Sequence, residues 1–581
     1  MQSCKDYPES LSYKYHLAYL LGEALSKADK IWYKGGYFTL NKKIKEAKHI
    51  YKLHQEYKAK LQELHLSYCF IPKEFLLDSL SFLKAIETLM HKLKSQENNS
   101  FKIESFFFKL FSQIPFSTQT PFLLKHKEEI LQWLNSKEFK EQYINTNHPY
   151  PPLLNPDRLN AKRESKECNV ESQRENRDSI QPYPNLSYES IPAELAWDLN
   201  LPLPRGYGFV WLSIHGCGAG ATLRFFAECQ IRINHRFTTN KETYLINYKN
   251  MVGGNDYCAI WTRAYRWEND KLYYLITHNV PLLCVVRDPI SLLKPFVNHL
   301  DNRACCASVY RRINLTYDYE TIMPSLIYSK GERPQVELLQ RYSDGNHNLL
   351  GKKIALLRQN GLNDVRYLPF SSISLENGFN TFCTLARQLG FHSPLNREVF
   401  EVKANGNDRH VYFPFSLFLH DEDIKSMYQL GGMVCTSKDS LNDSKSIEII
   451  VTLKNDRLFF DNQDYKNLTR KVFGNRNYQL PYEVALYVKS DININDELFE
   501  AFKVYMLGYM KTLEKKEIEE LKLKLNERDI LNYFKENDAI RKDYKKLFDE
   551  DYWHIKSHRP DIVESWKYYQ EFERMCEEMD K

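Results

Sequence analysis

The segment FVWLSIHGCGAGATLRFF, residues 209–226, constrains the fold more than any other part of this sequence. An apolar run ends at His215, three glycines follow within five residues, and an apolar helical pattern begins after them. This order predicts a strand, a tight turn and a helix. Glycine-rich turns at a helix start bind phosphate groups, because their backbone N–H groups close around an anion. We expect either a phosphate-binding loop or a tight turn without a ligand.

The loop HGCGAGAT, residues 215–222, lacks the lysine of a GxxxxGK[ST] phosphate loop. The absence argues against a kinase or a nucleoside triphosphatase, because that lysine and the following hydroxyl contact the phosphates and magnesium. The candidate phosphate-binding groups are backbone N–H groups of the loop and one side-chain hydroxyl. They belong to Gly216, Gly218, Ala219, Gly220, Ala221 and Thr222.

Apolar strand-like runs alternate with helical patterns from residue 207 to about residue 420. This alternation predicts an α/β fold, with a parallel sheet flanked by helices. Ligands of such sheets bind at the carboxyl ends of the strands, which selects the glycine loop and Arg287. The predicted strands are 207–214, 242–248, 281–287 and 365–370, and the predicted helices include 222–231, 270–278 and 381–391.

A second motif is LLCVVRDPISLLKPFVNHL, residues 282–300. We expect a buried strand to end at Arg287 and a helix to begin at or after Pro289, because proline is tolerated in a first helical turn. A guanidinium at this strand end can bind a phosphate in a bidentate manner. The alternative is a structural ion pair between Arg287 and Asp288. Three polar residues on one helix face are predicted to point back toward the strand end: Ser291, Lys294 and Asn298.

Composition divides the chain into five regions. Residues 1–143 are predicted to be an α-helical domain, in which a helix over 11–34 ends at Gly35-Gly36. Residues 144–190 are rich in proline, asparagine, serine and charge, which predicts a flexible linker. The remaining regions are the α/β core at 191–430, a β-containing annex with antiparallel strands at 431–494, and a charged α-helical region at 495–581. Within the last region a heptad-like stripe predicts a packing or oligomerisation element: Ile518, Leu521 and Leu525.

The formal net charge of +5 over 581 residues argues against a general nucleic-acid partner. No run of 18 apolar residues is present, and the N-terminal MQSCKDYPES lacks the apolar core of a signal peptide. Twelve cysteines without a CxxC pair are typical of reduced thiols. We expect a cytoplasmic protein, either free or peripheral at the inner face of the cytoplasmic membrane. Neither HExxH nor a His/Asp cluster occurs, so no metal is expected.

Together, the glycine loop and the Arg287 motif, some 65 residues apart, resemble the sulfotransferase fold. VRYLPFSSISLENGFNTFCTLARQLGF, residues 365–391, is similar to a later strand–turn–helix of that family, and the resemblance covers about residues 205–395. It implies that the loop holds the 5′-diphosphate-like end of a donor and that the Arg287 motif holds its 3′-phosphate. Gly218 stands where those enzymes usually have a lysine or arginine, and Pro295 where they usually have a serine. The contacts to the transferred group and to the 3′-phosphate are therefore expected to differ.

Over most of its length the chain also resembles a bacterial family of sugar transferases from capsule gene clusters, which includes O-methyl phosphoramidate transferases. The resemblance implies transfer of a phosphoramidate-type group to a hydroxyl of a capsular polysaccharide sugar. The implied donor is 3′-phosphocytidine diphosphate-linked methyl phosphoramidate, and the implied further partners are the inner membrane or capsule enzymes. The segments that carry it are LGEALSKADKIWYKGGY, YPPLLNP, IPAELAWDLNLPLP, the HGxG loop, VVRDPIS and HRPDIVESWKYYQEFE.

The candidate base that removes the hydroxyl proton is His215, which directly follows the first predicted strand. It can instead replace the missing loop lysine or cap the turn. His235 is the second candidate, and Glu242 and Asp256 stay open, whereas His278 and His299 are expected to be structural. The rival functions are a sulfotransferase using 3′-phosphoadenylyl sulfate, a nucleotide-sugar glycosyltransferase, and a non-catalytic scaffold of capsule assembly. A DxD-type metal motif would favour the glycosyltransferase.

Overall fold

A computed structural model describes most of the chain, and all structural statements refer to the residues that it describes. They are 11–64, 66, 68, 70–95, 100–112, 116–167, 180–235, 239–254, 256–300, 311–324, 326–329, 331–340, 349–401, 412–420, 446–454, 463–480 and 482–579.

The α-helices are numbered here in chain order. They are α1 Leu17–Asp29, α2 Leu40–Glu63, α3 Leu76–Ser95, α4 Ser100–Ser112, α5 Phe116–Lys125, α6 Lys127–Leu134, α7 Lys137–Phe139, α8 Pro156–Glu167, α9 Ala193–Asp198, α10 Ala219–Glu228, α11 Asn240–Val252, α12 Lys271–Tyr274, α13 Pro289–Val297, α14 Tyr319–Ile322, α15 Leu350–Gln359, α16 Gly378–Leu389, α17 Glu398–Glu401, α18 Thr469–Phe473, α19 Asp496–Leu523, α20 Glu527–Glu536, α21 Asp538–His558, α22 Pro560–Glu564 and α23 Lys567–Met579. A π-helical turn covers Lys140–Ile144. The 3₁₀ turns are Leu11–Tyr15, Trp32–Lys34, Gly36–Thr39, Lys73–Phe75, Tyr188–Ser190, Val336–Leu338 and Phe370–Ile373.

Ten strands form two five-stranded sheets. They are β1 Tyr207–Ser213, β2 Arg232–Ile233, β3 Cys258–Arg263, β4 Leu282–Val286, β5 Arg311–Asn314, β6 Val365–Pro369, β7 Phe415–Leu419, β8 Ile447–Leu453, β9 Tyr465–Asn467 and β10 Val484–Lys489.

The first sheet is parallel throughout, with the order β2-β3-β1-β4-β6. After β1 the chain builds β2 and β3 on one side, and then crosses to place β4 on the other side of β1. The connections thus leave β1 in opposite directions, which creates a switch point where parallel α/β sheets bind ligands. The predicted mixed α/β fold, with a parallel sheet flanked by helices and with helical N- and C-terminal regions, is confirmed.

The strands β1 and β4 at the centre of this sheet are buried and mostly apolar. Residues 209–212 of β1 are fully buried, and all five residues of β4 are buried. A strand covered by helices on both faces lacks the alternation of a half-exposed strand. The continuous apolar runs in the sequence therefore predicted β1 and β4 correctly, and the shorter run 365–370 corresponds to the partly buried edge strand β6.

The prediction of a strand at 242–248 is wrong, because these residues lie in α11. The Thr239 side chain caps this helix by accepting the N–H of Glu242 at 3.1 Å. Its buried side chains recur at helical spacing: Thr243, Tyr244, Asn247, Tyr248 and Met251. Aromatic and β-branched residues gave this stretch a strand-like composition. The strand that pairs with β1 on this side is β3, which the sequence analysis missed.

Two predicted helices are shorter than expected. The helix predicted over 11–34 is divided into a 3₁₀ turn, α1 and a second 3₁₀ turn, which ends at Gly35 with a φ of +78°. The helix predicted over 270–278 is reduced to α12. In the described part of the predicted linker, Leu153, Leu154 and Tyr188 are fully buried, so these stretches are packed against the core. Residues 168–179 of that linker lie outside the described residues.

The second sheet has the order β5-β7-β8-β10-β9, in which β5 and β7 are parallel and the other pairs antiparallel. It contains the antiparallel pair β8 and β10 predicted for the annex, and takes β5 and β7 from the range predicted for the core domain. The helix α19 lays its buried face, which includes Phe502, Met506 and Leu513, on this sheet.

The last helices return to the first sheet. Side chains of α20, α21 and α23 share one apolar core with the parallel sheet and with the N-terminal helices. In the described residues no helix is both long and apolar enough to cross a membrane.

Candidate functional site

The glycine loop between β1 and α10 has a backbone that only glycine adopts readily at two positions. Gly216 has a φ of +82° and Gly218 a φ of +71°. A side chain at Gly218 is also excluded by space, since a Cβ there lies 2.8 Å from Cδ1 of Ile373. Left-handed backbone and this close contact together require glycine at position 218.

The N-terminus of α10 carries unpaired backbone donors. Gly218 is the N-cap residue, and no side chain caps this helix. The N–H groups of Ala219, Gly220 and Ala221 have no acceptor among the described residues. Unpaired N–H groups and the positive end of the helix dipole favour an anion at such a position.

Thr222 is turned into the helix rather than toward the loop. Its side chain is 1% exposed, and its hydroxyl donates to the backbone oxygen of Gly218 at 3.1 Å. The loop therefore presents backbone N–H groups, and the predicted hydroxyl contact of Thr222 requires a rotated side chain.

Arg287 lies directly after β4, beside the glycine loop. Its Nη1 donates to the backbone oxygen of Gly216 at 3.2 Å, and its guanidinium carbon lies 4.6 Å from the ring centroid of Phe370. Among the described residues it makes no ion pair, so the predicted alternative of a pair with Asp288 is not formed. A half-buried guanidinium without a carboxylate partner is an unneutralised positive charge, and it lies next to the unpaired N–H groups of α10.

Asp288 caps two helices at once. One carboxylate oxygen accepts from the N–H groups of Ile290 and Ser291 in α13, at 2.9 and 3.4 Å. The other accepts from the N–H groups of Tyr568 and Tyr569 in α23, at 2.9 and 3.2 Å. Burial raises the pKa of Asp288, and these four N–H groups oppose that rise. Asp288 thus joins α23 to the end of β4, next to Arg287.

Ser291 and Lys294 of α13, and Asn298 at its C-cap, contact the C-terminal region instead of the glycine loop. Ser291 Oγ and Lys294 Nζ both donate to Oε1 of Glu527, at 3.0 and 2.8 Å. Asn298 exchanges hydrogen bonds with the backbone of Leu525, donating at 2.9 Å and accepting at 2.9 Å. Their spacing on one face was predicted correctly, but in this structure that face is occupied by the start of α20.

The candidate bases lie at different strand ends. His215 is exposed and directly follows β1, and His235 is exposed and follows β2. Since β3 lies between these two strands, the two strand ends are roughly 10 Å apart. Glu242 is in the first turn of α11, on the carboxyl side of the sheet. Asp256 lies at the opposite edge, where it pairs with Arg232 at 3.1 Å.

Two expected structural histidines lie away from the loop. His278 precedes β4 at the amino edge of the sheet, where its backbone N–H donates to the hydroxyl of Tyr207 at 3.0 Å. The ring of Tyr207 also packs edge-on against its imidazole. His299 is exposed just after α13, and its backbone oxygen accepts from the N–H of Ser329 at 3.0 Å.

Two residues of this edge were not predicted. Arg263 ends β3 opposite Ser213 of β1, and its guanidinium carbon lies 4.7 Å from the ring of Trp261. Phe370 follows β6 and lies between Arg287 and Gly218. The available signal was the rule that led to Arg287, because each residue lies at the carboxyl end of a strand, but β3 itself was missed.

Cys217 in the loop does not supply a nucleophile. It is buried, and burial raises the pKa of its thiol to about 12. A thiol with this pKa stays protonated near neutrality, and only the thiolate is nucleophilic. The described residues contain no group of three or more metal-ligating side chains.

Family models match two separate parts of the chain. Residues 367–579 match a model described as "Protein of unknown function (DUF2972)". Residues 1–53 match one described as "Domain of unknown function (DUF8374)". Neither description names a capsule transferase or a sulfotransferase. No curated protein and no solved structure matches the chain.

The DUF2972 range contains only part of the candidate site. It begins within β6, and includes Phe370 and both α23 residues that donate to Asp288. It extends through α20 to the end of α23, and it does not contain the glycine loop or Arg287. The matched C-terminal part therefore contacts the candidate site, whose candidate anion-binding groups come from the preceding part of the chain.

Proposed function

We propose that this protein binds a 3′-phosphonucleotide donor at the switch point beside β1 and transfers its terminal phosphoramidate-type group to a sugar hydroxyl. One observation carries the proposal. The guanidinium of Arg287 has no carboxylate partner among the described residues, and it lies beside the unpaired N–H groups that begin α10. Two anion-binding elements at one strand edge suit a ligand that carries two phosphate groups.

The two elements divide the donor between them in this proposal. The N–H groups of Ala219, Gly220 and Ala221 bind the 5′-diphosphate end, and Arg287 binds the 3′-phosphate. The ring of Phe370 lies 4.6 Å from the guanidinium carbon of Arg287, and this contact helps to hold the guanidinium beside the loop. Ser291, Lys294 and Asn298 position this edge through α20, and they do not contact the donor.

The proposed transfer balances as a displacement at phosphorus. The acceptor hydroxyl oxygen forms a bond to the phosphorus of the phosphoramidate, and the bond from that phosphorus to the bridging oxygen breaks. The nucleotide leaves with the electron pair, and its new charge is stabilised by Arg287 and the N–H groups of α10. The hydroxyl proton moves to a base, for which His215 is the nearest candidate to the loop in the chain.

His215 and His235 are distinguished by paired assays. We expect His215→Gln to lose transfer while keeping nucleotide affinity, and His235→Gln to keep both. Loss of transfer in His235→Gln alone would assign the base to the strand end of β2 instead.

Binding is tested by calorimetric titration of the full chain with cytidine 3′,5′-bisphosphate, adenosine 3′,5′-bisphosphate and both 5′-monophosphates. The proposal predicts that a bisphosphate binds and that its monophosphate binds more weakly. Preference for the adenosine form would favour transfer of a sulfuryl group from 3′-phosphoadenylyl sulfate at the same site. Absence of binding by all four nucleotides contradicts the proposal and leaves the glycosyltransferase and scaffold functions.

A further inference from the structure

The turn between α1 and α2 exposes four aromatic side chains, and three of them are more than 60% exposed. Trp32 is 68% exposed, Tyr33 is 65% exposed and Phe38 is 95% exposed. We call these three residues the aromatic tip. Large apolar side chains at this exposure lose contact with water only when another surface covers them, and a contiguous group of them marks an interaction site.

The turn that carries the aromatic tip is held in one shape by its own contacts. Gly36 lies so close to Ala28 that a Cβ would be 2.1 Å from the Ala28 backbone oxygen. The hydroxyl of Thr39 donates to the backbone oxygen of Gly36 at 2.8 Å, and the hydroxyl of Tyr37 donates to Asp29 at 2.7 Å. The aromatic rings are therefore presented by a fixed turn rather than by a loose loop, and little ordering is needed for binding.

The surface around the aromatic tip is positively charged. Residues 30–45 contain five lysines and no acidic residue. The two nearest preceding acids are already engaged: Glu23 pairs with Lys27 and Lys73, and Asp29 accepts the hydroxyl of Tyr37. The exposed lysines of this surface are Lys30, Lys34, Lys42 and Lys45.

We propose that the aromatic tip and these four lysines dock the protein on the surface of an anionic phospholipid bilayer. Trp and Tyr rings favour the interface of a bilayer, where an apolar body and a polar edge are both accommodated. Lysines beside them are attracted to anionic headgroups. A turn that projects from the end of a helix pair fits a soft, flat surface, whereas a protein partner must supply a matching cavity. This inference does not depend on the proposed function.

The test is flotation of the full chain with two kinds of vesicle, one of phosphatidylcholine alone and one with about 30% phosphatidylglycerol. We expect binding to the anionic vesicles, and weaker binding at high salt because exposed charges are screened. The double variant Trp32→Ala/Phe38→Ala should bind at least about tenfold more weakly. The control variant Leu395→Ala/Val504→Ala, which removes side chains 71% and 61% exposed elsewhere, should bind like the unchanged protein.

A second variant tests the charge. Lys30→Gln/Lys34→Gln/Lys42→Gln should lose most of the difference between anionic and neutral vesicles and most of the salt dependence. Absence of vesicle binding by the unchanged protein overturns the proposal, as does equal binding by the Trp32→Ala/Phe38→Ala variant. The proposal is also overturned if the unchanged protein forms a concentration-dependent dimer in sedimentation, and the Trp32→Ala/Phe38→Ala variant loses this dimer but still binds vesicles. The aromatic tip would then contact a second copy of the chain.

Discussion

The carboxylate of Asp288 accepts the backbone N–H of Tyr568 at 2.9 Å, across 280 positions of the chain. The same carboxylate caps α13, directly beside the arginine that we place in the donor site. The C-terminal helix is thereby fixed to the strand end that carries Arg287. This contact explains why two separated segments, VVRDPIS and HRPDIVESWKYYQEFE, both contribute to one structural unit.

We expect Asp288→Ala to destabilise the protein, because it removes the cap of α13 and the acceptor for α23. Loss of one such cap costs about 0.5–2 kcal/mol, so the two together should lower the free energy of unfolding by about 1–4 kcal/mol. Urea unfolding measures this change. Asp288→Asn keeps one carbonyl oxygen as an acceptor, so its free energy of unfolding should lie between those of the unchanged protein and Asp288→Ala. A stability unchanged in Asp288→Ala would mean that α23 is held by its apolar contacts alone.

Lys294→Met tests whether α13 contacts the donor or only positions the edge. Lys294 and Ser291 donate to Glu527, so the variant should lose about 1 kcal/mol of stability. Nucleotide affinity should stay within about twofold, since the structure places this lysine away from the loop. An affinity loss of about tenfold without a loss of stability would indicate that Lys294 contacts the donor.

Stability should also depend on the ionisation of Glu527. Burial tends to raise its pKa, but the hydrogen bonds from Lys294, its own backbone N–H and Ser291 outweigh that effect and leave the pKa below 4.5. This contribution is therefore present above pH 4.5 and is lost as the pH falls through the lowered pKa. Glu527→Gln should remove this part of the acid dependence of unfolding.

Gly218→Ala and Gly220→Ala form a matched pair. A Cβ at position 218 contacts Ile373 and occupies left-handed backbone, whereas a Cβ at 220 has nothing within 4 Å. We expect Gly218→Ala to cost about 1–2 kcal/mol and to weaken nucleotide binding. Gly220→Ala should stabilise α10 by up to about 1 kcal/mol and keep its N–H group. Thermal unfolding and titration of both variants check this, and equal behaviour would contradict the described loop.

The buried carboxyl of Asp551 predicts a stability that declines with pH. Burial raises its pKa from 3.8 to about 8, although it accepts N–H groups of Gly351 and Leu350. The folded state therefore holds a proton that the unfolded state releases between these values, and this contribution is lost as the pH rises from about 4 to about 8. Unfolding measured across this range should show a smaller decline in Asp551→Asn. An identical pH profile in the variant would contradict the raised pKa.

The parts of the fold that the sequence predicted are those with a strong local signal. Buried parallel strands such as β1 and β4 consist mostly of apolar residues, and the glycine pattern predicted the turn after β1. The strand β3 was missed because α11, with its aromatic face of Tyr244 and Tyr248, imitates a strand in composition. Periodicity in a window of this length does not separate the two reliably.

The candidate site was predicted only as far as the strand-end rule reached. Arg287 and the loop follow from it, since parallel strands bring their carboxyl ends to one edge. Lys294 and Ser291 donate hydrogen bonds to Glu527, which lies more than 230 positions away in the chain. No local sequence pattern indicates a contact over this separation. The positions of Phe370 and Arg263 at this edge likewise depend on strand order, which the sequence did not provide.

The most direct test of the central claim is the titration of Arg287→Ala with cytidine and adenosine 3′,5′-bisphosphate. The matched control is Arg366→Ala, because Arg366 lies on the same sheet but is paired with Asp364 at 2.7 Å. We predict that Arg287→Ala loses about ten- to a hundredfold in affinity for the preferred bisphosphate, and that its 5′-monophosphate is affected much less. Equal losses in both arginine variants, or an unchanged affinity in Arg287→Ala, would contradict the account.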